Sequence, residues 1–411
     1  MTIGTRTLPA LACAAGALAL AGCGPSGGAA GDTPSASPEQ PHGYVEGAEE
    51  TAEPQWRLVL ADAEDGAVHL LDPATEEVTP LGTVPGARQA ATDGRHAYIG
   101  ADGSVTVLDT GAWTVDHGDH VHYYRAEPGT VGEADAAGAL GAAGDPAVTA
   151  LDTGDGALVL DRSALDEGEL DPVARPDGAA AVVPFGGKLL AAGAEGDAVQ
   201  VLDRGGDPEG TLDEACPGPS GQAVTRRGAV LGCSDGALVV TEDDGGGGDG
   251  GDDADGSALV AEQAPYPDGE DAPPVESFHH RAGAPVVAGL AADGEGAWAL
   301  DVGAAEWTRI DSGPAVAVSA AGEGLPVLVL GEDGTLRSYD PATGERTAER
   351  ELMDPVEGGG PPPSVWIDTA RAYVNDPAAD AVHEIDYNDD LRVARTFDLE
   401  FTPDLMVETG S

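Results

Sequence analysis

The residues best suited to chemistry crowd into one short stretch, Asp116-His117-Gly118-Asp119-His120-Val121-His122-Tyr123-Tyr124-Arg125-Ala126-Glu127, which carries three of the nine histidines. On an extended strand, side chains two apart share a face, so His120 and His122 would point the same way, and a turn at Gly118 would bring His117 round to them. Three neutral imidazoles are a donor set that Zn²⁺ takes at about 2.0–2.1 Å. Asp119 or Glu127 would then serve as a fourth ligand or as the acceptor that orients a ring. The spacing matches no general metal motif, and a polar loop of solvated histidines is the competing reading.

The other histidines are more scattered. His69 and His383 occupy matching places in two copies of a repeat described below, which suits strand residues facing a neighbour. His279 and His280, in Glu276-Ser277-Phe278-His279-His280-Arg281, stand where loops would reach a central opening and could complete a site built from several elements. His42, with Glu46, Glu49 and Glu50 close behind it, offers a weak cation contact on what otherwise reads as a plain linker. No nucleophile–base constellation stands out, and 4% aromatic residues is low for stacking a flat cofactor, so an enzyme is not expected.

The elements that carry these residues begin with an export signal. Arg6 supplies a positive end, Leu8–Leu20 an apolar run too short to span a bilayer, and Leu20-Ala21-Gly22-Cys23 a lipobox. Residues 1–22 therefore read as a lipoprotein signal peptide, with an uncleaved N-terminal membrane anchor as the alternative. Cys23 becomes the acylated residue, and residues 23–53, rich in Gly, Ala, Ser, Pro and Glu, a lipidated flexible tether. The expected location is outside the cytoplasm, anchored by lipid to the cell membrane. Four cysteines are present. With Cys13 in the signal and Cys23 acylated, Cys216 and Cys233 remain as a disulfide pair for an oxidising compartment. A metal–thiolate site competes, but neither cysteine has a Cys-x-x-Cys or Cys-x-x-His partner nearby.

A net charge of −55 repels phosphate backbones and anionic lipid surfaces, so nucleic acid is excluded as a partner, while cations, neutral ligands and proteins remain. The acidity also serves solubility.

A repeat organises the remainder. Tight turns such as Asp65-Gly66 and Asp102-Gly103 precede short β-rich runs, most of which end in Asp: Val68–Asp72, Val105–Asp109, Ala157–Asp161, Val199–Asp203, Ala237–Thr241, Ala297–Asp301, Leu336–Asp340 and Val382–Asp386. Their spacing of roughly 40 to 60 residues suits four short strands with their turns. This predicts an all-β chain with one β-propeller over residues 54–411, of eight blades, with seven as the alternative. No run of helical period argues for an α/β fold. Two stretches break the spacing. One is Trp113–Gly138. The other, residues 242–257, is acidic and Gly-rich, lacks the ordered spacing and closing Glu of a calcium loop, and reads as a disordered insertion.

The run His117–Tyr124, the middle cysteine pair and His383-Glu384-Ile385-Asp386-Tyr387 together resemble the AztD-type zinc metallochaperones, with the histidine run the most specific part. The resemblance implies an exported β-propeller that binds zinc and delivers it to the solute-binding protein of a zinc ABC transporter. It makes His117, Asp119, His120 and His122 zinc-site residues, adds His383, and gives the N-terminal segment a part in metal transfer. The His-rich N-terminal run of some family members is missing; His42, Glu46, Glu49 and Glu50 stand in its place. A monomer is expected. The alternative function is a lipid-anchored propeller scaffold that binds a surface protein or glycan without metal.

Overall fold

The computed structural model describes Val45 and residues 47–117, 120–136, 140–153, 156–193, 196–243, 258–267 and 272–411. These residues are almost all strand and connecting turn; the single described helix is the five-residue Arg162–Asp166. None of the described helices is long and apolar enough to cross a membrane.

Among the described residues the strands form seven four-stranded and two three-stranded antiparallel sheets. The first sheet joins the two ends of the domain. Leu405–Thr409 pairs with Arg57–Ala61 in the register Arg57↔Thr409 to Ala61↔Leu405, and Ala67–Asp72 and Glu77–Thr83 follow outward. Burial falls in the same direction: Leu405–Thr409 and Arg57–Ala61 are buried throughout, whereas Glu77–Thr83 is mostly exposed. The cores lie between successive sheets. Leu58, Leu60 and Leu71 of the first sheet pack on Tyr373, Val382 and Phe397 of the sheet spanning residues 365–398, and Val59, Val68 and Leu70 pack on Ala97, Ile99 and Leu108 of the second sheet. Four-stranded meanders that pack face to face in sequence, with the last strand closing the first sheet, make a β-propeller.

Each of the eight runs, seven of them ending in Asp, falls in a different sheet. In seven sheets the run is the third strand from the buried edge. In the sixth it is the middle of Val286–Leu290, Ala297–Asp301 and Glu306–Ile310, and single bridges Val275↔Ala291 and His279↔Ala288 take the inner edge. The repeat thus marks one structural position, with hydrophobic residues directed between sheets and a turn on either side. Gly66 shows why its turn needs glycine: its φ is +75°, and a Cβ would stand 2.4 Å from the Val84 carbonyl oxygen.

Three expectations need correction. The interruption expected over Trp113–Gly138 is shorter, because Gly129–Asp135 returns as the outer strand of the second sheet, paired to Ser104–Asp109 by backbone bonds despite its small residues. The expected tether holds a strand: Glu49–Thr51 pairs with Val121–Arg125, because that strand's outer edge has backbone groups to satisfy. Glu242 ends the ordered strand Gly236–Glu242 rather than beginning a disordered insertion, while residues 244–257 lie outside the described residues. Residues 1–44, with Cys23, His42 and the segment expected to be a signal peptide, also lie outside them.

Cys216 and Cys233 form a disulfide, with Cα atoms 5.1 Å apart. Both are buried, and they tie the end of Pro208–Ala215, the outer strand of the fourth sheet, to Gly228–Cys233 of the fifth.

Candidate metal centre

The histidine run lies on a hairpin that leaves the second sheet. Ala112–Asp116 pairs with Val121–Arg125 from Ala112↔Arg125 to Asp116↔Val121, and the His117 amide donates to the His120 carbonyl across the turn at 2.9 Å. The hairpin starts at Gly111, whose φ of +67° and close approach to the Ala126 carbonyl, 2.3 Å from where a Cβ would stand, admit no side chain. Trp113 stacks on Tyr124 at 5.1 Å between ring centroids, and the Arg95 guanidinium lies 3.9 Å over the Trp113 ring. Thr114 Oγ1 donates to the Gly410 carbonyl at 2.8 Å beside the chain terminus. Near the tip, Asp116 pairs with Arg226 of the fifth sheet at 3.3 Å, so the hairpin reaches from the second sheet to a loop three sheets further along the chain.

The strand Val121–Arg125 alternates, with His122 and Tyr124 buried and Val121 and Arg125 exposed. His120 stands just before it, and His117 lies close to both. Ring centroids lie 4.9 Å apart for His117 and His120, 5.3 Å for His117 and His122, and 4.8 Å for His120 and His122. One ring nitrogen from each falls within 4.8 Å of the others. A tetrahedral zinc with bonds of about 2.0–2.1 Å needs its nitrogens about 3.4 Å apart, a distance small χ rotations supply. His117 and His120 are exposed and His122 is buried, so the group has an open side and an anchored one. Three imidazoles arranged in this way could hold a divalent cation and leave a fourth position for a carboxylate, water or a ligand from another molecule.

A carboxylate beside the anchored ring comes from far away in sequence. Glu49–Thr51 adds to the outer edge of Val121–Arg125 in the register Glu49↔Arg125, Glu50↔Tyr124, Thr51↔Tyr123. Glu50 Oε1 lies 2.7 Å from His122 Nδ1. Glu49, the expected metal contact, instead forms an ion pair with Arg125 at 2.7 Å. Burial and the Glu50 carboxylate together push the Tyr124 phenol above its ordinary value.

The remaining candidates are elsewhere. His383 is not part of the three-histidine group. It sits in Ala381–Asp386, its ring 3.3 Å from Asp376 Oδ2 and 3.2 Å from Thr396 Oγ1, because its strand position directs it to its own sheet neighbours. His69 stacks on Phe401 at 3.9 Å. His279 and His280 lie on the irregular inner edge of the sixth sheet; His280 Nε2 is 3.2 Å from the Val224 carbonyl, and burial pushes its imidazole down to about 4. Glu127 lines an open cleft of about 610 Å³ with Glu49, Arg57 and Arg125, outside the histidine group. Asp119, His42 and Glu46 lie outside the described residues. Among the described residues, His117, His120 and His122 are the one group of three or more His, Cys, Asp or Glu side chains placed to hold an ion.

No protein-family model matches the chain, and no curated protein sequence matches it. Solved structures do match. AztD from Citrobacter koseri superposes with a TM-score of 0.70 at 20% identity, over 87% of this chain and 99% of that one. The fold is of the AztD type. The apo form of the same Citrobacter koseri protein gives 0.67 at 19% identity, covering 87% and 98%. A dihydro-heme d1 dehydrogenase, NirN, in complex with DHE gives 0.53 at 16% identity, covering 88% and 76%. At such identities the likeness is one of fold, and propellers host unrelated chemistries. On this AztD-type fold, the hairpin gathers three imidazoles placed to hold an ion.

Proposed function

We propose that the protein is an exported zinc metallochaperone, anchored to the membrane by lipid at Cys23, which carries Zn²⁺ as cargo and passes it to the solute-binding protein of a zinc ABC transporter. The observation that carries this reading is the convergence of His117, His120 and His122 within 4.8 Å on a hairpin of an AztD-type fold. The buried disulfide suits an oxidising compartment outside the cytoplasm. The net charge of −55 raises the cation concentration around the molecule.

The arrangement suggests the order of transfer. His117 and His120 are exposed and within reach of a docking partner, whereas His122 is buried. A partner with a fuller ligand set replaces the exposed imidazoles first and draws the ion off His122 last, so Zn²⁺ passes without entering bulk water. The reaction is binding and release, without turnover or a redox step, and the protein acts as a monomer.

The test is a relay. The protein from residue 24 onward, loaded with one equivalent of zinc, is mixed with a metal-free zinc solute-binding protein in the presence of a chelator that traps free ion. Zinc appearing on the acceptor faster than chelator-trapped release allows supports transfer; acceptor loading no faster than spontaneous release contradicts it.

A further inference from the structure

We propose that Glu50 is the positioning residue of the metal centre, its carboxylate holding the His122 ring in the tautomer and orientation that direct Nε2 to the ion. This rests on the zinc-binding reading above. An ionised carboxylate only accepts hydrogen bonds, so the 2.7 Å contact places the proton of a neutral His122 on Nδ1 and the lone pair on Nε2. Metal-ligating imidazoles generally engage a carboxylate or carbonyl in this way, which fixes the ring and raises its basicity.

The backbone accounts for the contact. Glu50 pairs with Tyr124, and residues two apart on a strand share a face, so His122 is the diagonal neighbour of Glu50 on the side of the sheet that carries Tyr124. A one-residue slip would turn Glu50 to the opposite face. Two flanking contacts oppose that slip. Glu49 pairs with Arg125 at 2.7 Å, and Thr51 Oγ1 donates to the Tyr123 carbonyl at 3.4 Å. Glu50 therefore belongs to the centre although 72 residues separate it from His122. It acts through His122, since the group of mutually close ligand atoms contains the three histidines without it. Docking of the N-terminal strand thereby becomes a condition for full metal affinity.

The experiment compares the protein from residue 24 onward with Glu50→Ala, Glu50→Gln and Glu49→Ala. Long-range ¹H–¹⁵N NMR of the metal-free proteins reads the His122 tautomer, and chelator competition reads zinc affinity. The proposal expects the Nδ1–H tautomer in the parent, a mixture in Glu50→Ala, and a loss of about 10- to 100-fold in affinity. Glu50→Gln keeps a neutral acceptor and should retain the tautomer with a smaller loss. Glu49→Ala removes one of the two register contacts while Thr51 keeps the other, so it should largely retain the tautomer and lose clearly less affinity than Glu50→Ala. Zinc binding by Glu50→Ala within threefold of the parent, with an unchanged tautomer, overturns the proposal while leaving the zinc reading intact. Equal losses in Glu49→Ala and Glu50→Ala also overturn it, because strand docking rather than the carboxylate would then set the affinity. A parent that binds no zinc overturns both readings.

Discussion

Replacing Asp93 with Ala removes a fully buried carboxylate from the turn that carries Arg95, whose guanidinium covers Trp113 of the histidine hairpin. Asp93 opens the turn that joins Gln89–Thr92 to His96–Ala101. Its Oδ1 accepts from the backbone amides of Arg95 at 3.1 Å and His96 at 2.8 Å, and its Oδ2 from the hydroxyls of Tyr98 at 2.7 Å and Thr149 at 2.6 Å. Arg162 Nη1 stands 3.3 Å from Oδ2. Taking away one partner of a buried ion pair costs about 3–5 kcal/mol, because the other is left uncompensated. Since the hydrogen bonds share the same carboxylate, adding them separately would count one loss several times, and we expect about 4 kcal/mol in all. Against a typical total of about 5–15 kcal/mol this is a large fraction. Arg95, on the same turn, pairs with Asp109 at 2.7 Å and Asp166 at 2.8 Å while covering Trp113, so the hairpin should loosen as well. Burial works against the charged form of Asp93, but the Arg162 guanidinium, His96 and the Thr149 hydroxyl outweigh it and hold the carboxyl well below the usual carboxylate range. The folded value is thus depressed. Stability from this group is complete above the unfolded value of about 3.9 and is lost as pH falls through the folded one. Urea denaturation followed by circular dichroism should show the full gap between parent and Asp93→Ala at pH 5 to 8, shrinking below about pH 4. A gap under about 1 kcal/mol at neutral pH, or one that widens in acid, would refute the reasoning.

Two further substitutions separate the ring from the hairpin. The double change Cys216→Ala, Cys233→Ala opens a loop with a sequence separation of 17 and should cost about 3 kcal/mol in urea denaturation, matched by the reduced parent. Zinc affinity should be nearly unchanged, since the disulfide lies between the fourth and fifth sheets. Gly111→Val forces a β-branched residue to a φ of +67° and a Cβ to 2.3 Å from a carbonyl oxygen. It should weaken zinc binding in a chelator titration at least about tenfold while the strand signal of the propeller persists.

The sequence carries the fold in its short-range pattern. Asp-Gly turns and apolar runs such as Val105–Asp109 recur because each sheet presents the same third strand to its neighbours, and a repeated environment leaves a repeated signature. The histidine group was legible for a similar reason: its three members, His117, His120 and His122, fall within six residues of sequence. The contact of Glu50 with His122 was not, since the sequence offers Glu50 only as a weak cation contact on a linker, and its place is fixed by a strand pairing across 72 residues that no periodicity announces. His383 shows the opposite limit. Its motif is specific, yet Asp376 and Thr396 within its own sheet engage the ring and keep it from the hairpin group. Gly129–Asp135 has little apolar patterning because an outer strand needs only backbone partners, so its return to the second sheet left no mark to read.

The central claim is that three imidazoles form one zinc site, and metal analysis with affinity measurement on the protein from residue 24 onward, beside a His120→Ala, His122→Ala double variant, tests it most directly. One tightly bound zinc per parent chain and none in the variant, with unchanged circular dichroism, is the expected result. Zinc absent from the parent, or retained equally by the variant, would contradict it.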